Sequence, residues 1–202
     1  MSDHDELPSP VGHTDVFENS SGETFIKIHS GLPGNHPFFV LIGRVASAWT
    51  YFEHILDEII WNISQIPEDL ALCITGQIMG ATPRLKIIEA LCKYLGLPEP
   101  LLKKAKKLKE LQYGVAEQRN RIVHDPWFLV REPFGPIQTT QLKSSPPGHQ
   151  EVTENEIRKT LTKIEALAAQ AANLQLEFRE TLYALRQKRN EPPPPSRGPE
   201  AQ

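Results

Sequence analysis

Apolar residues recur at helical intervals along most of the chain from Phe38 to Leu185. Over 38–63 the stripe is Leu41, Val45, Trp49, Phe52, Leu56, Ile59, Ile60 and Ile63, which predicts one long amphipathic helix. Pro67, with Glu68 and Asp69 beside it, suits the first turn of a second helix. Leu70, Cys73, Ile74 and Ile78 are its expected apolar face. Gly76 and Gly80 interrupt it, and Thr82 with Pro83 reads as a cap and first helical residue opening a fresh segment through Leu95. Leu85, Ile88, Leu91, Cys92 and Leu95 form that stripe, and Gly96 is its expected stop.

A further helix is predicted over 98–124. After it the period changes. Residues 127–131 are β-prone, Pro133, Gly135 and Pro136 mark a turn, and 137–142 can return as a partner strand. Thr153 and Glu156 have the spacing of a capping box and open a last long helix through about Gln187. Residues 1–21 are polar and broken by Pro8, Pro10 and Gly12, and 24–28 alternate as a short strand or docking arm. The prolines from Pro192 give an extended tail.

The expected fold class is mainly α: an up-and-down helical bundle of about four long helices with a small β-hairpin inserted before the last helix. The expected organisation is a flexible arm (1–36), a helical domain (37–187) and a disordered Pro-rich tail (188–202).

Composition narrows the picture. The chain has 202 residues and a formal net charge of −3 at pH 7, which disfavours a general nucleic-acid coat and leaves local basic patches to consider. Its two cysteines, Cys73 and Cys92, sit among apolar residues and are expected to be core thiols in a reducing compartment. No signal-peptide pattern or membrane-spanning apolar run is evident, so the expected location is cytoplasmic. His4, His13, His29, His36, His54 and His149 form no metal-ligand spacing, and no metal or cofactor is expected.

The chemistry concentrates in one segment: Gln118, Arg119, Asn120, Arg121, Ile122, Val123, His124, Asp125, Pro126 and Trp127. Pro126 disfavours the α conformation at Asp125, so the helix should stop there, and a helix C-terminus favours a protonated imidazole. Asn120 and His124, four apart, share a helix face. Arg119 and His124, five apart, diverge by about 140° on an ideal helix, so one helix is not expected to aim both at one atom. Leu108, Val115 and Ile122 define an apolar stripe with Arg119 near its centre. A guanidinium there must find a carboxylate, a phosphate or a wet cleft.

Each group has a chemical use and a plainer alternative. An imidazole can take or give a proton near neutral pH, a use open to His124, though a histidine at a helix end is commonly structural. Arg119 presents a fork of donors suited to a phosphorane. Asn120 can hold a phosphate oxygen or position the histidine. Arg121 is read as a surface cation or substrate contact. Lys107, in a run with Lys103, Lys104, Lys106 and Lys109, is either part of a solvated face or of a track for an RNA backbone. Glu53 is either a snorkelling edge carboxylate or an internal partner of Arg119. Asp125 either orients His124 or simply ends the helix.

This segment resembles the signature of the HEPN superfamily, an Arg and a polar residue followed after a short spacer by His: here Arg119, Asn120 and His124, with four residues between Arg and His. The resemblance covers roughly 37–185, and the strand pair has no counterpart in the family core. It implies a helical bundle and, for many members, a metal-independent endoribonuclease of toxin or RNA-defence type, acting as a homodimer whose site forms where two such motifs meet. Implied partners are RNA, a second copy and an antitoxin protein, with neither membrane nor DNA expected. The alternatives are a non-catalytic RNA- or nucleotide-binding module and a helical protein-interaction scaffold.

Overall fold

A computed structural model describes the backbone of residues 14–18, 24–28, 37–125, 127–129, 136–140, 148–151 and 153–190, and the side chains of 37–67, 69–125, 127 and 153–187. The described chain is mainly helical. Its helices are α1 (Pro37–Ser64), α2 (Glu68–Thr75), α3 (Ala81–Tyr94), α4 (Glu99–His124) and α5 (Glu154–Asn190). Strands β1 (Thr14–Glu18) and β2 (Thr24–Ile28) pair antiparallel, with Val16 opposite Ile26. β1 falls in the arm expected to be loosely held. Backbone strands β3 (Trp127–Leu129), β4 (Pro136–Thr140) and β5 (Gly148–Glu151) pair antiparallel in that order. The turn about Pro133 and Gly135, on which the expected hairpin rests, lies outside the described residues, as does the Pro-rich tail from Pro192.

The chain divides into two compact units. One comprises Met1–Thr50 with Tyr113–Ala166, and the other Tyr51–Gln112 with Leu167–Gln202. In the first, Phe38, Leu41, Val45, Trp49, Ile122, Ile157, Leu161 and Ile164 are buried. α5 begins there with the expected capping box. The Thr153 N–H donates to Glu156 Oε2 at 2.8 Å, and the Glu156 N–H to Thr153 Oγ1 at 3.3 Å. Two otherwise orphaned donors are satisfied reciprocally.

In the second unit Phe52, Ile55, Leu56, Ile59, Leu85, Ile88, Leu174 and Phe178 are buried. Each such side chain contributes about 1.5–3 kcal/mol by leaving water. α3 ends in a Schellman turn: Gly96 takes φ 61°, its N–H reaches the Lys93 carbonyl, and the Leu97 N–H reaches the Cys92 carbonyl at 2.9 Å. α1 closes on Gln65 in the same left-handed region, at φ 56°, where glycine is the usual occupant.

Three local expectations are corrected. Pro67 caps α2 from outside its first turn. α3 starts at Ala81 after Gly80 at φ 82°, so Thr82 does not cap it. Thr82 Oγ1 instead accepts a 2.8 Å bond from Gln112 Nε2, a buried amide. The face of α2 is also rotated from the expected one. Ala71 and Thr75 are buried, whereas Leu70, Cys73 and Ile74 are exposed.

Thr75 explains the rotation of α2. Its Oγ1 accepts from Trp61 Nε1 at 3.1 Å and donates to the Ala71 carbonyl at 3.0 Å. Its own carbonyl lies 3.4 Å from Arg84 Nη2. Arg84 also donates from Nε and Nη2 to the two oxygens of Asp57, at 2.7 and 3.1 Å, and from Nη1 to the Gly80 carbonyl at 3.0 Å. A buried guanidinium needs this many acceptors, and their placement decides which side of a short helix faces inward.

Candidate functional site at the end of α4

All the groups of this site belong to the first unit. α4 carries Arg119, Asn120 and His124 in its final turns, and the helix stops at Asp125, whose N–H still reaches the Arg121 carbonyl at 3.0 Å. The restriction that Pro126 places on Asp125 accounts for the stop. Trp127 secures the exposed carbonyl end, its Nε1 donating to the Ile122 carbonyl at 2.9 Å. The ring of Trp127 packs edge-on to Phe38, with centroids 5.7 Å apart. Two elements therefore hold the turn that bears His124: the indole donor beyond the helix and the first turn of α1.

Arg119 is half-buried. Its Nη1 donates to Asn120 Oδ1 at 2.9 Å and lies 3.1 Å from His124 Nε2. The expected divergence of Arg119 and His124 is thus overturned. The helix sets the directions of their Cβ atoms, but the long arginine stem bends round the helix to cover the difference. Arginine carries donors and no acceptor. Where Arg119 Nη1 donates to it, His124 Nε2 presents its lone pair and the ring proton sits on Nδ1. Asn120 and His124 are both exposed, leaving the cluster open to a ligand.

Beneath the guanidinium lies Trp49. The Arg119 Cζ stands 5.9 Å from its ring centroid, within the range of cation–π attraction. Trp49 is 4 % exposed, so the ring is a buried platform. The Nε of Arg119 is buried and has no hydrogen-bond partner among the described residues. Among the described residues, an aromatic face lies against the charge on one side, and Asn120 Oδ1 and His124 Nε2 meet its outer tip.

Of the other sequence candidates, Arg121 pairs with Glu117 at 2.9 Å, one turn back on α4. Asp125 acts as the helix terminus, and no bond from its carboxylate to His124 is found among the described residues. Glu53, half-buried, and Lys107, exposed, belong to the second unit. The sequence reading missed Trp49 and the capping role of Trp127. Trp49 lies on the core stripe of α1, and nothing in its spacing distinguishes a core aromatic from one lying under a guanidinium. An aromatic three residues past a histidine at a helix end was the one hint of Trp127.

The cluster brings a guanidinium, an imidazole nitrogen and an amide together at an exposed helix end. Such a set suits an anionic oxygen and a transferable proton. No helix among the described residues is long and apolar enough to cross a membrane. Comparison with protein-family models, with curated proteins and with solved structures finds no match to the chain.

Proposed function

We propose that the chain is a HEPN-like, metal-independent endoribonuclease, built as a helical bundle with a hairpin before its last helix. The observation that carries this reading is the meeting of Arg119, Asn120 and His124 at the open end of α4. In the proposed reaction the ribose 2′-oxygen forms a bond to the adjacent phosphorus and the bond from phosphorus to the 5′-oxygen breaks. His124 Nε2 takes the 2′-hydroxyl proton, and the imidazolium so formed returns it to the departing 5′-oxygen. The products are a 2′,3′-cyclic phosphate and a 5′-hydroxyl end.

The present contact implies an exchange before chemistry. Arg119 Nη1 now faces the lone pair that the base must use. A charge-assisted bond to phosphate is stronger than one to a neutral imidazole. The scissile phosphate therefore draws the guanidinium from Nε2, which frees the lone pair for the 2′-hydroxyl and leaves Arg119 on the oxygens that gain charge. Asn120 steadies the guanidinium, and Arg121 and Lys107 remain candidate backbone contacts.

The proposed unit is a homodimer packed around α4, with a toxin or RNA-defence role and an antitoxin partner as the family resemblance implies. The pairing of Arg119 and His124 within one chain gives each copy both groups. Mixing inactive Arg119→Ala and His124→Ala proteins separates the two arrangements: no recovery places both groups of a working site in one copy, and partial recovery places them in different copies.

A second reading is favoured by the same contacts. A guanidinium stacked on a buried indole and bonded to two neighbours also serves as a clasp for the end of α4, as in a protein-interaction scaffold. Incubating the purified protein with mixed RNA in EDTA, beside His124→Ala, separates the two. Cyclic-phosphate ends from the wild type alone support the enzyme. No cleavage, with a variant that melts early, supports the clasp.

A further inference from the structure

We infer that Trp49 is a positioning residue of the site: its indole face fixes the Arg119 guanidinium so that, before substrate binds, Nη1 stays on Asn120 Oδ1 and His124 Nε2. The inference rests on the reading of Arg119 as the phosphate-binding group of a ribonuclease. Its structural content is separable from that reading.

Three observations carry it. The guanidinium carbon lies 5.9 Å from the Trp49 centroid, and the ring is 4 % exposed. A buried ring has a fixed orientation, because close packing on all sides leaves it no other rotamer. The Nε of Arg119 is buried without a hydrogen-bond partner among the described residues, so the inner half of the side chain is not held by a polar bond there. The known partners of Nη1, Asn120 Oδ1 and His124 Nε2, belong to exposed residues of the arginine's own helix, which water can replace. The indole is the buried surface in direct reach of the charge, and the attraction is strongest when the ring is tryptophan and the cation partly desolvated.

The consequence reaches His124. A neutral imidazole left to water has no donor enforcing a lone pair on Nε2. Arg119 Nη1 enforces it here, and Trp49 holds Arg119 in place. Trp49 thus acts on the base through the arginine, and after the exchange with substrate it keeps the guanidinium over the phosphate.

The test replaces Trp49 by tetrafluorotryptophan, which nearly keeps the shape of the ring but removes its negative face. Trp49→Met serves as a second variant that fills the space without a π-system. The first readout needs no RNA: the ¹⁵N shifts of the His124 ring, which report which nitrogen bears the proton. The wild type is expected to hold the Nδ1–H form. Both variants and Arg119→Ala are expected to shift toward the Nε2–H form while remaining folded by circular dichroism. The second readout is RNA cleavage, where kcat is expected to fall roughly fivefold with KM nearly unchanged. A folded fluorinated protein that keeps the wild-type tautomer overturns the inference, whether or not Trp49→Met folds. If the tautomer shifts as expected but the wild type cleaves no RNA, the positioning role stands and the ribonuclease reading fails.

Discussion

Arg119 meets His124 within a single chain, Nη1 to Nε2 at 3.1 Å, across five residues of one helix. Where Arg119 donates in this contact, the imidazole nitrogen presents its lone pair, the form a general base uses.

Under the ribonuclease reading, His124→Ala and Arg119→Ala each lower cleavage by about a hundredfold or more. Both residues lie at the open end of a helix, so each variant is expected to retain its fold. Arg119→Lys keeps the charge but loses the planar fork, and is expected to recover only part of the activity. Initial rates on a short RNA in EDTA, with melting curves alongside, check all three. A lysine variant with full activity would show that charge alone is required.

The Asp57–Arg84 pair predicts a stability effect remote from any chemistry. The two side chains are 13 % and 9 % exposed and bonded twice. Asp57→Ala leaves a buried guanidinium without its carboxylate and is expected to cost about 3–5 kcal/mol. The double change Asp57→Leu with Arg84→Met is expected to regain most of that loss. Urea unfolding free energies of Asp57→Leu, Arg84→Met and the double measure the coupling, with Asp57→Ala alongside.

The cysteines predict opposite reactivities. Cys73 is exposed and Cys92 buried. Burial, aided by the nearby Glu89 carboxylate, pushes the Cys92 thiol up to about 11 from an ordinary 9.0. Native protein is expected to react with a thiol reagent at Cys73 alone, and Cys92 only after unfolding. The folded state holds the Cys92 proton more tightly than the unfolded state does. Its contribution is therefore full below pH 9.0 and declines as pH rises toward about 11. Unfolding free energies across that window should fall more steeply for wild type than for Cys92→Ala.

Two left-handed residues should respond in opposite directions. Gly96 at φ 61° has open space where a Cβ would stand, so Gly96→Ala suffers backbone strain without a clash and is expected to cost about 1 kcal/mol. Gln65 at φ 56° already bears that strain, and Gln65→Gly is expected to stabilise by a few tenths to about 1 kcal/mol. Thermal midpoints of the two variants check both signs.

Spacing along the chain fixes where the long helices lie. Apolar spacing located α1 to within a residue at each end, and the Thr153–Glu156 capping box and the Gly96 stop were read correctly. These features depend on neighbours along the chain, whose geometry a helix fixes in advance. The same spacing located Arg119, Asn120 and His124 on the last turns of α4.

Tertiary structure alone decided where their polar atoms go. The sequence placed Arg119 and His124 at a wide angle, yet the arginine's several rotatable bonds carry its charge far from the line of its Cβ. The end point depends on what waits there: the Trp49 ring, contributed by another helix, and the exposed acceptors Asn120 and His124. The rotation of α2, which exposes Leu70 and Cys73 and buries Thr75, was hidden for the same reason. A short helix carries too few apolar positions to fix its own inner face, and distant polar partners, Trp61 and Arg84, fix it instead.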